Sequence, residues 1–145
     1  IKLQIIKMKI FKIALILILP SSYLFASTDY FNEGLMLYEK EEFKKAKFKF
    51  EQDIVFNPKN EKSYMYLSKI FNKQEKKSLE EKNLSTVILL NPQNEEATFN
   101  MAKLKLEKSD FKESKKLIDQ LLTFCKNYCQ KSKKLQIEIE NSLKK

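Results

Sequence analysis

The 145-residue chain contains no histidine, no arginine and no tryptophan, and only one glycine, three prolines and two cysteines. Each absence removes a class of function. Without histidine the chain lacks the commonest general base and the commonest metal ligand. All 28 basic residues are lysines, so the planar guanidinium fork that reads phosphates and base edges is missing, and no nucleic acid is expected as a partner. A lone glycine cannot build a phosphate-cradling loop. The same scarcity of glycine and proline, beside abundant Lys, Glu and Leu, favours helices over strands.

The residues that remain do not assemble a catalyst. Carboxylate pairs such as Glu80-Glu81 and Glu95-Glu96 are sequence neighbours, about 100° apart around a helix, and do not converge on one substrate. The Ser and Thr hydroxyls have no histidine to activate them, and the neighbours Lys62/Ser63 and Ser68/Lys69 fall on different helical faces. No enzymatic activity, cofactor or metal is expected.

Residues 1–26 read as a targeting segment. Lys9 and Lys12 form a basic start, Ile13 to Leu19 is an unbroken apolar run, Pro20-Ser21-Ser22 breaks it, and Leu24-Phe25-Ala26 puts a small residue before a cut. That order is a secretory signal peptide. Met8 lies just ahead of the basic start, so translation is expected to begin there. An uncleaved membrane anchor is the alternative, but the run is shorter than the ~20 residues of a spanning helix. Cleavage is expected after Ala26, and with no cysteine beside it a lipoprotein is not. The protein is thus expected to be exported, periplasmic or secreted, without a stable membrane span. Loss of the segment removes four lysines and no acid, lowering the net charge from +9 to +5, so solvated helix faces account for most of the lysines.

The strongest pattern in the rest is a spacing of 34 residues. Tyr30, Gly34, Leu37, Ala46, Phe50 and Asn57-Pro58 recur as Tyr64, Ser68, Phe71, Glu80, Leu84 and Asn91-Pro92, and again as Thr98, Ala102, Lys105, Ser114, Ile118 and Lys126. Small residues at Gly34, Ser68, Ala102, Ala46 and Ser114 let antiparallel helices approach, and the bulky ones fill the space around the contact. Pro58 and Pro92 end helices, because the residue before a proline is pushed out of the helical region. This pattern resembles the tetratricopeptide repeat (TPR). It departs from it at Glu33, Glu80, Lys105 and Lys126.

The resemblance implies an all-α fold, a right-handed α-solenoid of three TPR helix-turn-helix repeats at about 27–60, 61–94 and 95–126. Helices are expected at about 29–40, 43–56, 61–73, 76–90, 95–107 and 110–123, with Asn60, Asn94 and Ser109 or Asp110 as N-caps. A last helix at about 127–143, within a 127–145 segment, carries Leu135, Ile139 and Leu143 at four-residue spacing and is expected to cover the apolar end of the array. A membrane-surface helix is the sharper alternative, but its apolar stripe is thin and lacks Trp or Phe. Cys125 and Cys129 flank the join before this helix. In an oxidising compartment they are expected to form a disulfide, which across a helix break is within reach. A redox site would call for a different spacing, Cys-x-x-Cys.

Each first helix of a pair keeps one stripe beyond that used for pairing: Phe31, Leu35 and Tyr38; then Met65, Lys69 and Asn72; then Phe99, Lys103 and Leu106. First helices of tetratricopeptide arrays line the concave surface, so the resemblance implies a groove floor, apolar at its amino-terminal side and basic through Lys69, Lys73 and Lys103. A peptide or helix with apolar anchors and some acidic character fits it. Some family members clamp a partner's C-terminal carboxylate with Lys and Asn on these helices; here Phe31, Leu35 and Tyr66 stand on those faces, and such capture is not expected. Three functions follow: a non-catalytic scaffold of the cell envelope, a holdase-type chaperone for unfolded envelope proteins, or a structural subunit whose stripe is buried by self-association.

Overall fold

The computed structural model describes residues 29–144; the expected targeting segment lies outside them. Among the described residues there are seven α-helices and no strand: α1 (Tyr30–Glu39), α2 (Phe43–Phe56), α3 (Glu61–Lys73), α4 (Lys77–Leu90), α5 (Glu95–Glu107), α6 (Phe111–Phe124) and α7 (Cys129–Leu143). They stack as the antiparallel pairs α1/α2, α3/α4 and α5/α6, with α7 packed on α6. The limits agree with the expected ranges to within two residues. Asp29, Asn60, Asn94 and Asp110 cap α1, α3, α5 and α6, each accepting a hydrogen bond from a first-turn N–H.

The 34-residue spacing is written into the backbone as well. Inside each pair the turn passes through one residue in the left-handed region: Glu41 (φ 59°), Glu75 (φ 56°) and Ser109 (φ 60°). The residue after each one donates its N–H five positions back, Glu42 to Leu37, Lys76 to Phe71 and Asp110 to Lys105, all at 2.9 Å. That is a Schellman closure, which satisfies carbonyls left open by the end of a helix. Helices α3, α5 and α7 start 34 residues apart, at Glu61, Glu95 and Cys129, so α7 takes the place of a fourth first helix.

The small-residue slot shows what the packing tolerates. Ala46 is fully buried beside Phe50. In the third pair Ser114 fills the slot and donates its hydroxyl to the Ala102 carbonyl at 2.7 Å. Glu80, in the second, is only 5 % exposed and accepts from Asn72 Nδ2 at 3.1 Å. Lys105, in a slot filled elsewhere by Leu37 and Phe71, pairs with Glu81 at 2.7 Å. Between α2 and α3 the buried Asp53 accepts from Ser63 Oγ (2.5 Å), Asn60 Nδ2 (2.7 Å) and Asn57 Nδ2 (3.0 Å). One pair later the same two slots hold the apolar Val87 and Ala97, both fully buried.

Helix α7 is fastened at its start from two sides. The Glu95 carboxylate accepts from the backbone N–H groups of Asn127 and Tyr128, each at 2.8 Å; although burial works against its charge, these donors hold its pKa below the ordinary value. Cys125 and Cys129 are joined by a disulfide, their Cα atoms 5.3 Å apart. Closing so short a loop contributes about 2 kcal/mol in the chain-entropy picture.

Candidate functional site

The first helices meet through contacts that run from one to the next. Tyr66 of α3 packs against Phe31 and Tyr38 of α1, with ring centroids 5.9 and 5.0 Å apart. Lys69 of α3 pairs with Glu96 of α5 at 2.9 Å. Phe99 of α5 lies 5.4 Å from Tyr128, just before α7.

Where α1, α3 and α5 converge there is a cavity of about 240 Å³, lined by Tyr38, Lys69, Asn72, Lys73 and Lys103. These are five of the nine residues of the expected groove. Helix α4 sends Glu80 into its wall, and α5 adds Asn100, Leu104 and Glu107. Two cations are engaged by protein groups: the Lys69 ammonium lies 4.9 Å from the Tyr66 ring and Lys73 lies 5.0 Å from that of Phe43. Burial pulls the Lys69 pKa down, but the hydrogen bond and charge of Glu96 outweigh it and hold it above the usual lysine value. Burial raises the Tyr38 hydroxyl, against the pull of Lys69. Burial also raises the Glu80 carboxyl; the Asn72 hydrogen bond and the charges of Lys103 and Lys77 oppose the shift, and Glu107 adds to it.

The other four residues fare differently. Met65 is 6 % exposed and belongs to the core formed by α3 to α7, so it does not line the groove. Phe31 is half-buried and packs on Phe50 at 5.8 Å. Leu35 is half-buried and lines neither cavity described here. Phe31 thus packs on Phe50 and Tyr66 and lines neither cavity. Phe99 lines a second cavity, of about 640 Å³, between α5 and α7, and Lys103 lines both. This second, more apolar cavity lies toward the carboxyl-terminal end of the array.

Sequence reasoning missed Glu80, Asn100 and Glu107 in the first cavity, and Phe111, Lys131, Lys134 and Leu135 in the second. The spacing of Lys131, Lys134, Leu135 and Glu138 was a usable signal, since residues three, four and seven apart share a helix face. Among the described residues no cluster of His, Cys, Asp or Glu could hold a metal ion, and no helix is long and apolar enough to cross a membrane.

No protein-family model matches the sequence, and neither does any curated protein. Solved structures do match. The first TPR of Spaghetti (RPAP3), bound to the HSP90 peptide SRMEEVD, is similar over 80% of this chain and 91% of that one, with TM-score 0.72 and 14% identity. The TPR2B domain of yeast Sti1, in a pHsp70 complex, is similar over 77% and 94%, with TM-score 0.70 and 13% identity. The Yersinia enterocolitica type III secretion translocator chaperone SycD gives 78% and 80%, with TM-score 0.68 and 13% identity. With its described helices stacked as three pairs and a closing α7, and with these neighbours, the chain has the fold of tetratricopeptide domains.

Proposed function

We propose that this protein is a non-catalytic interaction scaffold that holds a peptide or helix of a partner protein on its concave face. The observation that carries the reading is the polar cavity in which three successive first helices bring together Tyr38, Lys69, Asn72, Lys73 and Lys103. One of the similar domains is bound to an HSP90 peptide and another stands in a pHsp70 complex, which supports the same use of the face here. The mode of capture differs from a terminal-carboxylate clamp, because Phe31 and Tyr66 fill those faces with packed rings. Among the described residues neither Lys73 nor Lys103 has a carboxylate within 4.0 Å, so the face favours acidic partners. The signal-peptide pattern of residues 1–26 adds that the partner belongs to the cell envelope, in the periplasm or outside the cell.

The test is fluorescence anisotropy of a short labelled acidic peptide against the full chain and its Lys73→Glu/Lys103→Glu variant. Two reversed charges are expected to weaken binding by about tenfold or more, with a steep salt dependence. Equal binding by both proteins would remove the groove assignment. A holdase reading draws on exposed apolar side chains outside the two cavities, Phe48, Val55, Phe56 and Leu89. It requires suppression of aggregation of unrelated unfolded proteins, undiminished by the same charge reversal.

A further inference from the structure

We propose that the cavity between α5 and α7 is an anchor site for one bulky apolar side chain of the partner peptide, with acidic residues flanking that side chain. The inference rests on the groove reading above and specifies its ligand. Phe99 and Leu106 of α5, Phe111 at the start of α6 and Leu135 of α7 give this open cavity apolar walls, around a volume of about 640 Å³. It adjoins the polar cavity through Lys103 and Glu107, which line both. A chain lying along the concave face therefore meets polar and apolar recognition in succession.

The rim gives the flanks their sign. Lys103, Lys131 and Lys134 line the cavity, and among the described residues none of them has a carboxylate within 4.0 Å. The two rim carboxylates are unequal: Glu107 is held by Lys77 at 3.3 Å, which leaves Glu138 alone against three lysines. Lys131 sits 5.0 Å from the Tyr128 ring, so that cation is positioned without being neutralised. An apolar pocket bordered by uncompensated cations suits an apolar anchor with acidic neighbours, and repels a basic one.

Three matched peptides measured on the full chain test this: an acidic peptide with a central Phe, the same peptide with Ala in its place, and a basic peptide with the Phe. The acidic Phe peptide is expected to bind about tenfold or more tightly than its Ala counterpart. Leu106→Gln is expected to remove most of that difference, while Lys134→Glu, at an exposed position whose change leaves the core intact, weakens both acidic peptides. Equal binding of the Phe and Ala peptides overturns the anchor site and leaves the groove reading standing; no binding of either overturns both. Equal binding of the basic peptide overturns the assignment of the rim. A concentration-dependent dimer seen in sedimentation and dissolved by Leu106→Gln would give the cavity to a second copy of the chain and overturn the proposal.

Discussion

Replacing Gly34 by Ala should destabilise the protein, although the change favours a helix. A Cβ built at Gly34 would lie 2.7 Å from Cε1, 2.8 Å from Cδ1 and 3.1 Å from Cζ of Phe50. The ring cannot swing aside: Phe50 is fully buried, stacked on Tyr66 at 5.2 Å and tilted against Phe31 at 5.8 Å. Overpacking of a filled core costs about 1–3 kcal/mol, whereas Gly to Ala inside a helix gains about 1 kcal/mol. The net expectation is a loss of about 1 kcal/mol, a fall of roughly 4 °C in Tm for a domain of this size. The later pairs suggest the control. Ser68 and Ala102 carry a Cβ in the slot of Gly34, and the slot of Phe50 there holds the smaller Leu84 and Ile118. Phe50→Leu alone should be destabilising, but Gly34→Ala/Phe50→Leu should lose less than the sum of the single changes, with a coupling of about 1–2 kcal/mol. Urea midpoints at unchanged slope measure all four corners of the cycle. Stabilisation by Gly34→Ala, or simple additivity of the two changes, would refute the steric reasoning.

Asp53→Ala removes the acceptor shared by Ser63, Asn60 and Asn57 and strands a fully buried Ser63 hydroxyl, which is expected to cost about 2–4 kcal/mol in a denaturant titration. Asp53→Val/Ser63→Ala, which copies the Val87/Ala97 pair, should recover most of that loss; a double variant as unstable as the single one would sink the explanation. Glu80 gives a pH dependence. Its folded carboxyl is raised by burial, so the stability linked to its protonation is fully present below the unfolded pKa of about 4.3 and is lost as pH rises through the folded value. Glu80→Gln should therefore be more stable than the parent at neutral pH, with the advantage shrinking on acidification. A gap in stability that stays constant with pH would contradict the assignment.

Helix positions were legible because they depend on a period that leaves marks in every pair, such as the Asn-Pro steps at 57–58 and 91–92. The left-handed turns were not, since Glu41, Glu75 and Ser109 carry no glycine or asparagine signal; that conformation belongs to the Schellman closure ending each first helix. At the site, charge was easier to read than hydrophobicity. Lys69, Asn72, Lys73 and Lys103 all line the polar cavity, because solvated polar side chains stay on the open face of their helix. Met65 did not follow its stripe, since a spacing of three and four names a face without saying which neighbour covers it. Glu80 looked like a defect of the repeat, and only the fold reveals that a carboxylate in a small-residue slot can reach the cavity wall.

The closing helix brings the two kinds of information together. Leu135 and Ile139 bury the end of the core, and the period that sets α3 and α5 also starts α7, so this helix extends the concave layer while it caps the array. Glu61 accepts from Asn91 Nδ2 at 3.1 Å, and Glu95, one period on, accepts from the backbone of Asn127 and Tyr128. The last join lacks the Asn-Pro step and has Cys125 where Asn57 and Asn91 stand, so its closure is covalent. The same fastening joins the end of α6 to the start of α7, beside the contact of Tyr128 with Phe99 of α5, which lines the apolar cavity. The cysteine link therefore bears on position as well as stability, because it holds the start of the helix that supplies one side of the cavity and contributes about 2 kcal/mol.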